Sequence, residues 1–234
     1  MPTRLYSAHD MARISSAECA GCGACCRGMG DTIVLDPYDL WQLTAGTGKP
    51  FQALLGSCLD LHVEEGVILP HLMMQKNTES CTFLGPDGRC TIHAFRPGIC
   101  RLFPLGRQYD GLKTSYFIVE GGCVKGRLLK ARIDRWIGIP DLAEYEKFKG
   151  KWRSLLGTLK ARLAAESSEE VQRNINLYFL RTFYMTPYEA VYGQPCEQSC
   201  EQTGGPSCEP PGGSAKAFYA ELDRRIAEFE KAVL

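Results

Sequence analysis

The 234 residues carry 27 Lys plus Arg against 27 Asp plus Glu, a formal net charge of zero, with 44% apolar and 23% charged residues. That length can bury a core of one or two domains. A neutral chain excludes steering toward nucleic acid or anionic membrane by overall charge, and the unusual figure is the 12 Cys.

In chain order, Met1 to Asp10 holds no apolar stretch of the kind that heads an export signal. No apolar run approaches the roughly 20 residues of a membrane helix. The densest, Ile175 to Met185, is interrupted by Asn176, Arg181 and Thr182 and reads as a buried helix. We therefore expect a cytoplasmic protein without membrane contact. In a reducing compartment, clustered thiols favour metal or redox chemistry over disulfides.

The first cysteine group reads Cys19-Ala20-Gly21-Cys22-Gly23-Ala24-Cys25-Cys26-Arg27. Two successive C-x2-C steps place three thiols on one tight loop, and only Ala and Gly separate them. Small residues let the backbone fold around a metal and leave N–H groups free to bond thiolate sulfur. The spacing opens like a bacterial ferredoxin run. The fourth cysteine, however, is adjacent instead of three residues on with a following Pro, so a ferredoxin assignment fails. Neighbours in an extended segment point to opposite sides, so Cys25 and Cys26 are expected to serve two centres, unless one is not a ligand.

Asp31–Leu35 reads as a short strand. Asp36 is a good N-cap and Pro37 a good first helical residue, predicting a helix from Pro37 to about Thr44, ended by Gly46 and Gly48. A second short helix follows Pro50, and extended pieces flank Glu64-Glu65-Gly66. Cys58, in an apolar context, is expected to be a small buried residue.

The second cysteine group runs from Cys81 through Cys90 to Cys100. Gly85-Pro86-Asp87-Gly88 is a turn signal that can bring Cys81 and Cys90 together across a hairpin. Arg96-Pro97 imposes a bend before Cys100, and Cys123 follows two glycines. Another hairpin is expected around Tyr109-Asp110-Gly111. Four thiolates around zinc or an oxidised four-iron cluster leave negative charge, which Arg27, Arg89, Arg96, Arg101 and Arg107 lie near enough in sequence to compensate. Of these, Arg27, Arg96 and Arg101 are the candidates to support a cofactor. His93 reads as a capping or packing residue more than a ligand. His9, His62 and His71 are isolated.

From Leu128 the pattern turns helical, with Leu129, Ile133 and Trp136-Ile137 at helical spacing and a break at Pro140. Residues 125–162 hold 11 Lys or Arg and 4 Asp or Glu, which on helices reads as a solvated face. Cys196, Cys200 and Cys208 fall in a Pro/Gly/Ser/Gln-rich loop. Phe218, Leu222, Ile226, Phe229 and Val233 form an apolar helical stripe that reads as core or dimer contact.

At its cysteines the sequence resembles the bacterial CxxCxxCC proteins, the YkgJ-type cysteine-cluster family. The resemblance rests on Cys19-x2-Cys22-Gly23-x-Cys25-Cys26-Arg27, on Cys81-x-Phe83-Leu84 with Gly88-Arg89-Cys90-x-Ile92-His93, on Arg96-Pro97-x2-Cys100-Arg101-x-Phe103-Pro104, and on Cys123. It implies zinc or iron chelation. A similar cluster occurs in flagellin lysine N-methylases, which implies, as an alternative, an iron–sulfur enzyme that modifies a protein side chain.

Taken together, the sequence predicts an α+β protein. Residues 1–125 form an irregular, metal-organised domain of short strands and helices, and 126–192 a helical region packed on it. A cysteine-bearing loop over 193–213 and an amphipathic helix over 214–234 follow. Cys19, Cys22, Cys25, Cys26, Cys81, Cys90, Cys100 and Cys123 are the candidate ligands, dividing naturally into two four-ligand sites. The expected cofactor is an iron–sulfur cluster, ahead of Zn²⁺ because of the Gly/Ala-lined loop and the arginines. The expected task is electron transfer, metal handling or assembly of a protein partner. Nucleic acid is not expected as a partner, no nucleotide, flavin or S-adenosylmethionine motif is recognisable, and no catalytic residue is assigned.

Overall fold

A computed structural model of the chain describes residues 4–15, 21–111, 113–124, 128–188 and 215–234. In chain order the elements are β1 (Met11–Ser15), α1 (Pro37–Thr47), α2 (Phe51–Leu54), β2 (Leu59–Glu64), β3 (Val67–Leu72) and α3 (Gly98–Leu102). They continue with β4 (Leu105–Asp110), β5 (Lys113–Ile118), β6 (Leu129–Arg132), α4 (Ile133–Ile137), α5 (Leu142–Ala164), α6 (Glu169–Leu180) and α7 (Ala215–Val233). Short antiparallel strand pairs dominate the first half and helices the second, which is an α+β fold. No described helix is long and apolar enough to cross a membrane.

The chain divides into two units, each gathered from separated stretches: residues 1–33, 73–91 and 97–153 in the first, and 34–72, 92–96 and 154–234 in the second.

In the first unit, β4 and β5 form the expected hairpin, with Leu105 opposite Ile118 and Asp110 opposite Lys113. Arg107 projects from β4 among tyrosines. Its guanidinium carbon lies 5.5 Å from the Tyr145 ring centre and 5.9 Å from that of Tyr116, and Nη1 donates to Tyr109 Oη at 3.4 Å. Arg107 thus packs on aromatic faces. The expected helix from Leu128 begins later, at Ile133: Leu129–Arg132 is a strand, paired antiparallel with β1. Spacing of four between Leu129 and Ile133 satisfies a helical period, but the backbone bonds of β6 go to a strand more than a hundred residues earlier. Gly138, in the left-handed region, closes α4 before Pro140.

In the second unit, Asp36 caps α1 by accepting from Asp39 N–H at 2.8 Å, while the Asp39 carboxylate accepts from Asp36 N–H at 3.3 Å. The helix runs through Gly46 and ends at Gly48. The strand expected over Asp31–Leu35 reduces to one bridge, Val34 to His71. Asn176 of α6 is buried because it serves the β2–β3 hairpin: it accepts from Ile68 N–H at 2.8 Å and donates to Gly66 O at 3.0 Å. The C-terminal stripe is core. Phe218, Leu222, Ile226 and Phe229 are buried, with Phe218 stacked on Trp41 at 4.8 Å and Phe229 edge-on to Phe179 and Phe183. Within the same stripe lies Arg225, 4% exposed. Its guanidinium donates to Glu221 Oε1, to the carbonyls of Thr182, Thr186 and Pro187, and lies over the Tyr188 ring at 3.9 Å. Those carbonyls end the π-helical turn Arg181–Met185, so Arg225 supplies the donors that the turn lacks.

Candidate metal centre

The site grows from two loops of the first unit. Gly21 and Gly23 adopt left-handed φ values of 75° and 59°, and Ala24–Cys26 then wind into a single 3-10 turn in which Cys26 N–H reaches Gly23 O at 3.1 Å. The second loop is the expected Cys81–Cys90 hairpin. Leu84 bridges to Cys90, Gly85 N–H reaches Arg89 O at 2.8 Å, and Thr91 N–H reaches Phe83 O at 2.9 Å. The loops are joined through their backbones: Cys81 N–H donates to Cys26 O and Gly28 N–H to Glu79 O, both at 2.8 Å. They touch again at Gly88, where an added Cβ would sit 2.4 Å from Gly21 O. Cysteines 55 positions apart are thereby neighbours.

Their thiols interact. The Cys26 thiol is pushed well above its ordinary range, first by a hydrogen bond with Cys25, then by burial, then by the charges of Cys25, Cys90 and Cys81. Crowding of like groups disfavours the thiolate, and a cation among them reverses that preference. The same geometry corrects the expectation that Cys25 and Cys26 diverge. They sit on a 3-10 turn, where consecutive side chains are about 120° apart instead of opposed, and their thiols meet.

The other predicted residues are placed as follows. Cys22 lies half-buried in the first loop, Cys100 half-buried on α3 and Cys123 half-buried after the Val119–Gly122 turn. Cys19 is outside the described residues, as are Cys196, Cys200 and Cys208. Among the described residues no three Cys, His, Asp or Glu side chains are placed to hold a metal ion. The donor set therefore fits zinc or iron in kind, soft thiols in proximity, while ligation by three or more requires their side chains to close in or Cys19 to join them. All eight described cysteines are free thiols. Cys58 is half-buried instead of buried and belongs to the second unit.

Arg27 is exposed at the end of the 3-10 turn, its backbone bridged to Ser80. Arg101 Nη1 donates to Gly138 O at 3.4 Å. Arg89 is exposed beside Asp87 at 3.8 Å. Arg96 and His93 lie in the second unit, where Arg96 Nη1 is 2.8 Å from His93 Nε2. Sequence reasoning missed the cleft flanking the paired loops, a space of about 390 Å³ lined by Gly28, Gly30, Met74, Gln75, Lys76 and Glu79. Gly28 and Gly30, so close to Cys26, were its one signal.

Two backbone-paired loops thus carry Cys22, Cys25, Cys26, Cys81 and Cys90. Residues 18–120, less than half of the chain, match the model of the CxxCxxCC family, described as "Putative zinc- or iron-chelating domain". No curated protein and no solved structure matches the chain.

Proposed function

We propose that this protein binds zinc or iron through Cys19, Cys22, Cys25, Cys26, Cys81, Cys90, Cys100 and Cys123, and that it acts as a metal-holding module in electron transfer, metal handling or assembly of a protein partner. The observation that supports this reading is the contact of the Cys25 and Cys26 thiols on a loop whose backbone is bonded to the loop that carries Cys81 and Cys90. Crowded thiols repel when ionised, and a cation supplies the missing attraction. An iron–sulfur cluster is preferred to zinc. The left-handed Gly23 followed by a 3-10 turn is backbone of the kind that turns N–H groups toward an anionic centre, and a sulfide-bearing cluster is such a centre.

In this reading the thiols bind the centre and the glycines permit the loops to close on it. Arg27 and Arg101 offset its negative charge, whereas Arg96 is engaged with His93 and is not assigned that role. Zinc would hold the loops together; iron with sulfide would add one-electron chemistry. The free thiols suit a reducing compartment, and we place the protein in the cytoplasm.

Purification without oxygen, followed by a visible spectrum and by iron, zinc and acid-labile sulfide counts per chain, tests this. Brown protein with matched iron and sulfide is the expected result. Colourless protein with stoichiometric zinc would replace the cluster with a zinc centre. Folded, reduced protein with neither metal would overturn the proposal.

A further inference from the structure

Although the whole chain is neutral, its positive charge is concentrated in residues 125–162, with 11 Lys or Arg against 4 Asp or Glu. Part of that charge is on the two-stranded β1–β6 ribbon and not on a helix. Met11 pairs with Arg132 and Arg13 with Lys130. Directly opposed residues share a face, and Met11 and Arg13 alternate with the buried Ala12 and Ile14. The outer face therefore presents Met11, Arg13, Lys130 and Arg132, all exposed. Arg135, also exposed, follows in α4.

Contacts among the described residues leave the charge of this face largely unanswered. Arg13 and Lys130 are like charges directly across the ribbon, an arrangement that destabilises strand pairing. Arg132 is satisfied, donating to both Asp134 oxygens at 2.7 Å, and His9 takes the same carboxylate at 3.3 Å. Among the described residues, Arg13 bonds the Leu128 carbonyl, at 3.2 Å. Among the described residues no carboxylate forms an ion pair with Arg13, Lys130 or Arg135. Aliphatic surface accompanies the charge, with Met11 at 51% exposure.

We propose that the outer face of the β1–β6 ribbon is a docking surface for an acidic segment of a partner protein, one that carries aliphatic residues among its carboxylates. Charge complementarity places carboxylates between Arg13 and Lys130, which converts a repulsive pair into a bridged one, and apolar contact falls on Met11. Nucleic acid fits less well. Nucleic-acid affinity rises with the number of phosphates that Lys and Arg neutralise, and this face offers few cations, one of them, Arg132, already bound to Asp134. The chain's pI of about 6.9 gives no supporting field, and the exposed apolar residue of the face, Met11, is aliphatic, without a ring for base stacking.

The test uses the full-length protein at low salt, with fluorescence anisotropy of a labelled peptide of glutamate and leucine, a lysine–leucine peptide and a single-stranded oligonucleotide. The acidic peptide should bind saturably and weaken as salt rises, while the basic peptide does not bind. Arg13→Glu should lower affinity about tenfold or more, yet melt at or above the wild-type temperature, because it places opposite charges across the ribbon. Lys130→Glu should behave alike. A gain or retention of thermal stability separates lost docking from lost folding. Absence of saturable binding, unchanged affinity in both variants, or tighter binding of the oligonucleotide would overturn the proposal.

Discussion

Gly88 is where the two cysteine loops touch most closely through a glycine. Its φ is +74° and its missing Cβ faces the Gly21 carbonyl at 2.4 Å, so a side chain meets both backbone strain and a backbone clash. Gly88→Ala should cost about 2 kcal/mol or more and lower the metal content. Gly30→Ala, at φ +55° with open space around it, should cost about 1 kcal/mol and keep the metal. Denaturant melts with metal analysis of both variants check this; equal losses would mean that the loop contact is unimportant. Gly88 was legible as a turn residue from Gly85-Pro86-Asp87-Gly88, but nothing in that stretch announces that its back lies against Gly21. The same holds for Cys25 and Cys26. Their candidacy as ligands is plain in the spacing, while the 3-10 geometry that brings them together depends on Gly23 and on the Cys26–Cys81 backbone bond.

At the scale of elements, caps and periodicities were readable wherever the bonds are local. Asp36-Pro37 and Gly48 mark both ends of α1, and Glu65-Gly66 marks the β2–β3 turn. Asp36→Ala should destabilise the second unit by about 1 kcal/mol, measured by urea unfolding. What local pattern could not show is β6, whose partner is β1, or the reduction of Asp31–Leu35 to a single bridge. Helix α7 is an intermediate case. Its apolar stripe predicted its burial, and the spacing from Phe218 through Leu222 to Phe229 also encloses Arg225, a charge at a core position with Glu221 one turn earlier. Replacing Arg225 by Met would keep much of the volume and strand the carbonyls of Thr182, Thr186 and Pro187. A loss of about 3 kcal/mol is expected. A variant of wild-type stability would show that these carbonyls find other donors.

At the scale of the whole molecule, acid should unfold the chain through its paired carboxylates. Glu221 is held at about 2, first by its hydrogen bonds with Arg224 and against the opposing effect of burial, with Arg225 adding to the depression. Asp134 is likewise held at about 2, chiefly by Arg132. A depressed folded-state value contributes stability above the ordinary carboxylate range and loses it as pH falls toward 2. The melting temperature should therefore drop from about pH 4.5 to pH 2, and Glu221→Gln should make that decline shallower. Removing metal at neutral pH should act more strongly. Structural zinc in small domains is worth roughly 10–16 kcal/mol, against a domain stability of about 5–15 kcal/mol, so a strong chelator should melt the first unit near room temperature.

The convergence of thiols on a metal is best tested by X-ray absorption at the iron and zinc edges of protein purified without oxygen. An all-sulfur first shell at about 2.3 Å, lost in Cys81→Ser and Cys90→Ser, is the predicted result. A shell of nitrogen and oxygen, or no stoichiometric metal in folded, reduced protein, would contradict it.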